Sequence, residues 1–191
     1  LIIFNPTIPL FAHAIVDDNF KKTFSIYDLN QWLSTLSLFN EPHIAFEDKQ
    51  MVISSGRMSA KYRYSAPSIT ADQPSAPPSI PAELFSFDLK KEQLSEILKA
   101  SSVLGLKELE FSLRGIRTFT SDANGNAVDN EYTTAIEGLD TTSDDHESVK
   151  IKIDSLKMMP LNYRVSVTNK VVVFKSEDGK VTYYTGIVKK S

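Results

Sequence analysis

The densest group of potentially reactive side chains in this 191-residue sequence is the run "DDHE" at 144–147. Carboxylates next to an imidazole can hold a divalent cation or exchange protons with a substrate. The run lies among serines and threonines, which indicates a solvated loop, and neither His13 nor His43 stands in a metal-binding spacing with it. A metal-dependent hydrolase is therefore one hypothesis, and it requires that Asp145→Ala abolish activity.

Other signs of chemistry are missing from the sequence. It contains no cysteine, which excludes disulfides and thiolate metal sites, and its seven glycines form no phosphate-binding loop or nucleophile elbow. The net charge of −3 is not typical of a protein that binds nucleic acid tightly. No apolar run approaches the roughly 20 residues of a membrane span. We therefore predict a protein that is not an enzyme, needs no cofactor or metal, and has no membrane partner.

Two amphipathic segments carry polar side chains on one face. The segment at 29–40 has no charge, and its apolar residues recur at helical spacing. These residues are Leu29, Trp32, Leu33, Leu36 and Phe39. The segment at 90–104 has the same periodicity at Leu94, Ile97, Leu98 and Leu104, and lysines on its other face. We expect two helices, the first with a neutral polar surface and the second with a lysine-bearing one.

Both helices belong to a repeated pattern. Asp28, Asp88 and Asp154 each follow a short strand-like run and precede a helical segment, where an aspartate can cap the helix N-terminus. Alternating segments then follow, for example "HIAFED", "MVISSG" and "AKYRYSA" after the first helix, and "KELEFSLR", "IRTFTSDA" and "EYTTAIEG" after the second. Asn124-Gly125 and Asp178-Gly179 favour tight hairpin turns. Each unit reads as strand, helix and antiparallel meander.

The repeats predict an α+β fold of two similar domains, with helices on one face of antiparallel sheets. Residues 1–26 match a strand hairpin whose helix is expected upstream, so we expect the N-terminal helix to be missing from this chain. Five of the nine prolines lie between Ala66 and Pro81, which indicates an extended connector. We predict a first domain at 1–66, a connector at 67–81 and a second domain at 82–191.

Several long segments resemble the sliding clamp of T-even-type phages, the DNA polymerase processivity factor. They are "IYDLNQWLSTLSL", the proline-rich connector, "EQLSEILKASSVLGL" and "KMMPLNYRV". The resemblance implies a homotrimeric ring that encircles double-stranded DNA and tethers the polymerase in the host cytoplasm, with the helices lining the pore. It also implies a separate clamp-loader ATPase, which would carry out the ATP hydrolysis that opens and closes the ring.

The resemblance also assigns roles to particular residues. The DNA-facing candidates in the pore are Lys90, Lys91, Lys99 and Lys157. Two edge strands would pair between subunits, with the basic residues of one facing the acidic residues of the other. Their residues are Lys61, Tyr62, Arg63 and Tyr64 on one strand and Glu131, Tyr132, Thr134 and Ile136 on the other. The pocket for the polymerase C-terminal peptide would be formed by Pro6, Ile8, Ile69, Val171, Val173 and Tyr184.

Each assignment has an ordinary structural alternative. The lysines could simply solvate a helix surface, the charged strands could be edges kept soluble by charge, and the valines could be core residues. At the level of the whole protein, the alternative is a non-catalytic β-rich binding or structural module of a phage particle. That module would be a monomer or an open assembly and would not stimulate a polymerase.

Overall fold

Alternating and helical periodicity in the sequence correspond to regular elements in the computed structural model, which describes residues 2–5, 10–17, 22, 24–66, 76–122, 126–128, 130–141 and 148–188. The helices are α1 (Leu29–Ser37) and α2 (Lys91–Leu104), with a short 3-10 helix at Ile153–Leu156. The strands of the N-terminal part are β1 (Ile2–Asn5), β2 (Leu10–Ala14), β3 (His43–Phe46), β4 (Gln50–Ser55) and β5 (Met58–Arg63). The next strands are β6 (Glu83–Leu89), β7 (Glu108–Ser112), β8 (Gly115–Phe119), β9 (Tyr132–Thr134) and β10 (Glu137–Thr141). The last are β11 (Val149–Lys152), β12 (Tyr163–Thr168), β13 (Val171–Ser176) and β14 (Val181–Gly186).

The chain divides into two compact units. The larger contains Leu1–Val16 and Pro74–Ser191, and the smaller contains Asp17–Gln73. This division differs from the predicted domains because β2 pairs antiparallel with β14, from Val181↔Ala14 to Thr185↔Leu10, and so joins the C-terminal sheet. The predicted boundaries at 66 and 82, which follow repeat order, stay a prediction.

The larger unit is built on two antiparallel sheets. One has the strand order β1-β2-β14-β13-β12-β6-β10, and the other has the order β11-β7-β8-β9. Along each strand, every second side chain points to the same face of the sheet. One face of each sheet contributes to a shared core, in which Phe87, Phe111 and Phe174 are fully buried. Leu94 and Ile97 of α2 belong to the same core. This arrangement confirms the predicted α+β class.

Helix α2 does not begin as predicted. Its N-cap is Lys90, which makes no side-chain capping bond, while Asp88 lies two residues earlier in β6 and pairs with Arg164. Asp154 likewise lies inside the 3-10 helix instead of before it. The N-cap predictions for these two aspartates are therefore wrong, because β6 extends past Asp88 and the 3-10 helix begins before Asp154. At the C-terminus of α2, Gly105 adopts the left-handed φ of 68°.

In the smaller unit, α1 lies beside the three-stranded sheet β3-β4-β5. Asp28 is its N-cap, as predicted, and accepts a hydrogen bond from the Gln31 amide at 3.0 Å. The Trp32 indole Nε1 donates to Met51 Sδ at 3.0 Å, which attaches the helix to β4. Leu33 was predicted on the packing face but is 49% exposed. It follows Trp32 by one residue, about 100° around the helix, and the sheet contacts a narrower stripe than the sequence suggested.

The segment "EYTTAIEG" was expected to be one strand, but it contributes to two. β9 pairs with β8 in the four-stranded sheet, and β10 pairs with β6 in the seven-stranded sheet. Between them, the Ile136 side chain packs against the main core. This inward turn of one apolar residue redirects the chain from one sheet to the other.

Candidate functional site

The predicted DNA-facing lysines lie on the exposed side of α2 and the 3-10 helix. Lys91 and Lys99 line one shallow groove of about 450 Å³, together with Glu92, Ser95, Glu96 and Pro160. Lys91 Nζ is 3.6 Å from Glu92 Oε1. Lys90 is exposed at the N-cap, and Lys157 is exposed with its Nζ 3.4 Å from Asp154 Oδ1.

The electrostatic character of this surface is nearly balanced. Two lysines and two glutamates line the groove, so its attraction for a polyanion is weak. Exposed charges of both signs are also screened by salt within about 8 Å at physiological ionic strength. Exposed lysines on such a surface attract a phosphate group only weakly.

The first predicted interface strand, β5, is an edge of its sheet. Lys61 and Arg63 are exposed, whereas the tyrosines between and after them are half-buried. Tyr62 Oη donates to the Asp28 carbonyl at 3.1 Å, and the Tyr64 ring stacks on Phe24 with centroids 5.6 Å apart. One face of β5 therefore presents basic side chains, and the other face is fixed within the smaller unit.

The second predicted interface strand, β9, is also a sheet edge. Tyr132 packs against the main core, and Thr134 Oγ1 accepts a hydrogen bond from Gln93 Nε2 at 3.1 Å. Glu131, just before the strand, is exposed and accepts from Arg117 Nε at 2.8 Å. Because Arg117 orients this carboxylate, an acidic group stands at a defined position beside the open edge.

An apolar cluster lies on the face of the seven-stranded sheet that is opposite the core. Phe11 and Tyr184 meet edge to face, with ring centroids 5.6 Å apart, and Val173 is buried beside them. Ile2 and Val171 pack partly against the same group. Burial raises the pKa of the Tyr184 hydroxyl above its ordinary value. Phe11, Val173 and Tyr184 are 6%, 5% and 9% exposed, so they form a small, packed apolar cluster separate from the main core.

This cluster brings together Val171, Val173 and Tyr184 of the predicted pocket. The other three predicted members, Pro6, Ile8 and Ile69, lie outside the described residues. The predicted pocket did not include Phe11 or Ile2. Alternation in "LFAHA" at 10–14 puts Phe11 and His13 on one face of a strand and the residue between them on the other, but it does not indicate which face meets Tyr184.

The structure identifies no metal centre in the part of the chain that it describes. No group of three or more histidine, aspartate or glutamate side chains there could hold a metal ion. The "DDHE" run at 144–147 and the Asn124-Gly125 turn lie outside that part. Among the described helices, none is long and apolar enough to cross a membrane.

Comparison with known proteins bears on the fold. No family model matches the sequence. Over 164 residues the sequence is 28% identical to the sliding clamp of Vibrio phage KVP40, a match that covers 82% of this chain and 72% of that protein. The structure aligns with the β subunit of DNA polymerase from Streptococcus pyogenes with a TM-score of 0.64 at 10% identity, over 94% of this chain and 52% of that one. The chain has the sliding-clamp fold.

A second solved structure is the Helicobacter pylori β clamp bound to a DNA ligase peptide, with a TM-score of 0.57, 10% identity and coverage of 96% of this chain and 54% of that one. The clamp-like chain thus spans about half the length of the solved bacterial clamps that it matches. The predicted resemblance to a phage sliding clamp is confirmed. The roles of individual residues on the clamp surfaces stay predictions.

Proposed function

We propose that this chain functions as a DNA sliding clamp, a homotrimeric ring that encircles double-stranded DNA and tethers the replicative polymerase as a non-catalytic processivity factor. The observation that carries the proposal is the sliding-clamp fold in a chain whose sequence is 28% identical to a phage sliding clamp. Its setting would be the cytoplasm of the phage's host.

Enclosure explains how a chain with a net charge of −3 could retain DNA. Binding through phosphate contacts releases counterions and weakens steeply as salt rises. A closed ring retains the duplex by topology, so its inner surface needs only weak attraction. The balanced groove on α2, which Lys99 lines together with Glu92 and Glu96, fits such a sliding surface. We assign Lys90, Lys91, Lys99 and Lys157 to transient phosphate contacts.

The pairing of β2 with β14 inside the chain is a guide to how two copies could join. β14 ends a meander that follows a helical segment, and β5 is its counterpart in the first repeat. By the same repeat order, β2 is the counterpart of β9, the last strand of the meander that follows α2. We therefore infer that β5 of one copy pairs antiparallel with β9 of the next. Lys61 and Arg63 would then lie on the same outward face as Glu131.

The apolar cluster around Tyr184 is our candidate site for the polymerase's C-terminal peptide. Support comes from its composition, because aromatic anchors in desolvated pockets carry most of the energy of peptide binding. Further support comes from the H. pylori β clamp, a protein of the same fold whose solved structure holds a DNA ligase peptide. A clamp-loader ATPase would be a further partner, as the resemblance to phage clamps implies.

Primer extension with the cognate polymerase and loader tests the function. On a primed circular template, addition of the 191-residue chain should lengthen the products made in a single binding event, and sedimentation should give the mass of a trimer. A monomeric chain that leaves product length unchanged would favour the structural module of a phage particle. Metal-dependent hydrolysis that is lost in Asp145→Ala would favour the hydrolase.

A further inference from the structure

Strand β10 is attached to its sheet without apolar burial. Residues 137–140 are exposed, including Leu139 at 42%, and pairing with β6 is interrupted by a register shift between Glu137 and Asp140. A short, irregular and exposed edge strand should fray readily. Polar contacts must therefore supply most of what holds β10 in place.

One guanidinium provides these contacts. Arg164 on β12 lies directly opposite Asp88 on β6, and its Nη1 donates to Asp88 Oδ1 at 3.1 Å and to the Gly138 carbonyl of β10 at 2.6 Å. Its Nη2 donates to Ser86 Oγ at 2.8 Å and lies 3.8 Å from Asp140 Oδ2. We call Arg164, Asp88, Ser86 and Gly138 the Arg164 network, and it connects three adjacent strands.

Both the backbone conformation and the small size of Gly138 suit this network. Its φ of 58° is in the left-handed region, which residues other than glycine rarely adopt. A Cβ at this position would also overlap the Asp88 carboxylate and lie 3.4 Å from Arg164 Nη1. Only glycine therefore allows the β10 backbone to approach close enough for its carbonyl to accept from the guanidinium.

The same stretch of chain is held from its other side by α2. Gln93 Nε2 donates to the Ala135 carbonyl at 2.5 Å and to Thr134 Oγ1 at 3.1 Å. The bend at residues 134–138 is thus held by α2 at Ala135, by the core at Ile136 and by the Arg164 network at Gly138. β9 immediately precedes this bend and is itself paired with β8, so these attachments set the path by which the chain leaves the open edge.

We propose that Arg164 is a positioning residue for self-association, which holds the segment 134–138 after β9 and so keeps the β9 edge in the conformation that pairs with β5 of a second copy. This inference rests on the proposed clamp function. Arg164 does not need to touch the second copy. Its planar guanidinium fixes the position of the Gly138 backbone. That backbone in turn limits the conformations of the preceding β9 edge, which would face the second copy.

The test compares two Arg164 variants with a matched control. Arg164→Met removes the network, and Arg164→Lys keeps the charge but lacks the planar fork. Lys175→Met removes one positive charge from the same sheet face, at the position directly opposite Arg164 on β13, without contact to β10. We expect both Arg164 variants to raise the concentration for half-assembly roughly tenfold in sedimentation equilibrium, and the control to leave it unchanged.

Hydrogen exchange separates positioning from general destabilisation. In the Arg164 variants, faster amide exchange should be confined to about residues 131–141, while β12, β13 and the thermal midpoint match the Lys175→Met control. Unchanged assembly in Arg164→Met would overturn the proposal. Faster exchange throughout β12 and β13 would also overturn it, since Arg164 would then only stabilise the fold.

The wild-type chain distinguishes this inference from the function on which it rests. If wild type stays monomeric at every concentration, the proposed ring fails, and with it the role of β10 in assembly. If wild type assembles and Gly138→Ala assembles equally well, the ring stands and the Arg164 network is not what positions its edge.

Discussion

Reversing the charges on β5 should weaken assembly of the ring. Lys61 and Arg63 are exposed on the outward face, and Glu131 is held in place by Arg117 at 2.8 Å. In the proposed pairing, at least one of the two basic residues faces Glu131 across the strands. The double variant Lys61→Glu, Arg63→Glu replaces this attraction with repulsion and leaves the inward tyrosines unchanged.

The magnitude follows from the exposure of these groups. An exposed ion pair contributes about 0.5 kcal/mol, so reversing the directly facing residue costs about 1 kcal/mol and reversing the second about half as much. Over the three junctions of the proposed ring this sums to about 4.5 kcal/mol, or roughly three decades in the trimerisation constant. Because half-assembly varies as the square root of that constant, its concentration should rise roughly 40-fold.

Sedimentation equilibrium measures this shift over a dilution series. The matched control is Lys170→Glu, Lys175→Glu, which makes the same charge change at exposed positions that belong to neither edge strand. Salt gives an independent check, because at about 1 M the Debye length falls to roughly 3 Å and the difference between variant and wild type should shrink. A variant trimer as stable as wild type at low salt would refute the β5–β9 pairing.

Three further outcomes are expected. Lys99→Glu should reduce the magnitude of the slope of log affinity against log salt for nicked circular DNA by about 2.7, one phosphate contact of about 0.9 in each of three copies, whereas Lys175→Glu should leave the slope unchanged. Tyr184→Ala should weaken calorimetric binding of the polymerase C-terminal peptide roughly 30-fold, and unchanged affinity would remove the apolar cluster as its site. The Ser176 hydroxyl and the Lys180 amide donate to Asp178 and lower its pKa, so its charge stabilises the fold above the ordinary aspartate pKa and this contribution is lost as pH falls through the lowered value. Asp178→Asn should therefore lower the thermal midpoint at pH 7, and the difference should disappear in strong acid.

The sequence predicted the elements whose signal is local. Leu94 and Ile97 recur at helical spacing and are buried in α2, and the alternating stretch at 108–119 forms a hairpin. Asp28 caps α1 as expected because a cap depends only on the next three residues. Local periodicity was therefore enough for the meander and for both helices.

The parts that were missed depend on residues that are distant in sequence. Arg164 lies 76 positions from Asp88, and no pattern near either residue indicates that they pair. The division of "EYTTAIEG" between two sheets depends on Ile136 finding the core. Phe11 joins Tyr184 only because β2 adds to the C-terminal sheet, a pairing that repeat order alone did not suggest.

The contact between the indole of Trp32 and the sulfur of Met51 has a practical consequence. Trp32 is the chain's single tryptophan and lies in the smaller unit, so indole emission reports on that unit alone. Among the described apolar residues of this unit, Met51 and Ile53 are the fully buried ones, a far smaller core than the larger unit has. Fluorescence should therefore change at a lower temperature than the main transition in the far-ultraviolet circular dichroism, to which the larger unit contributes most. The protein carries its own optical probe for the part that loosens first.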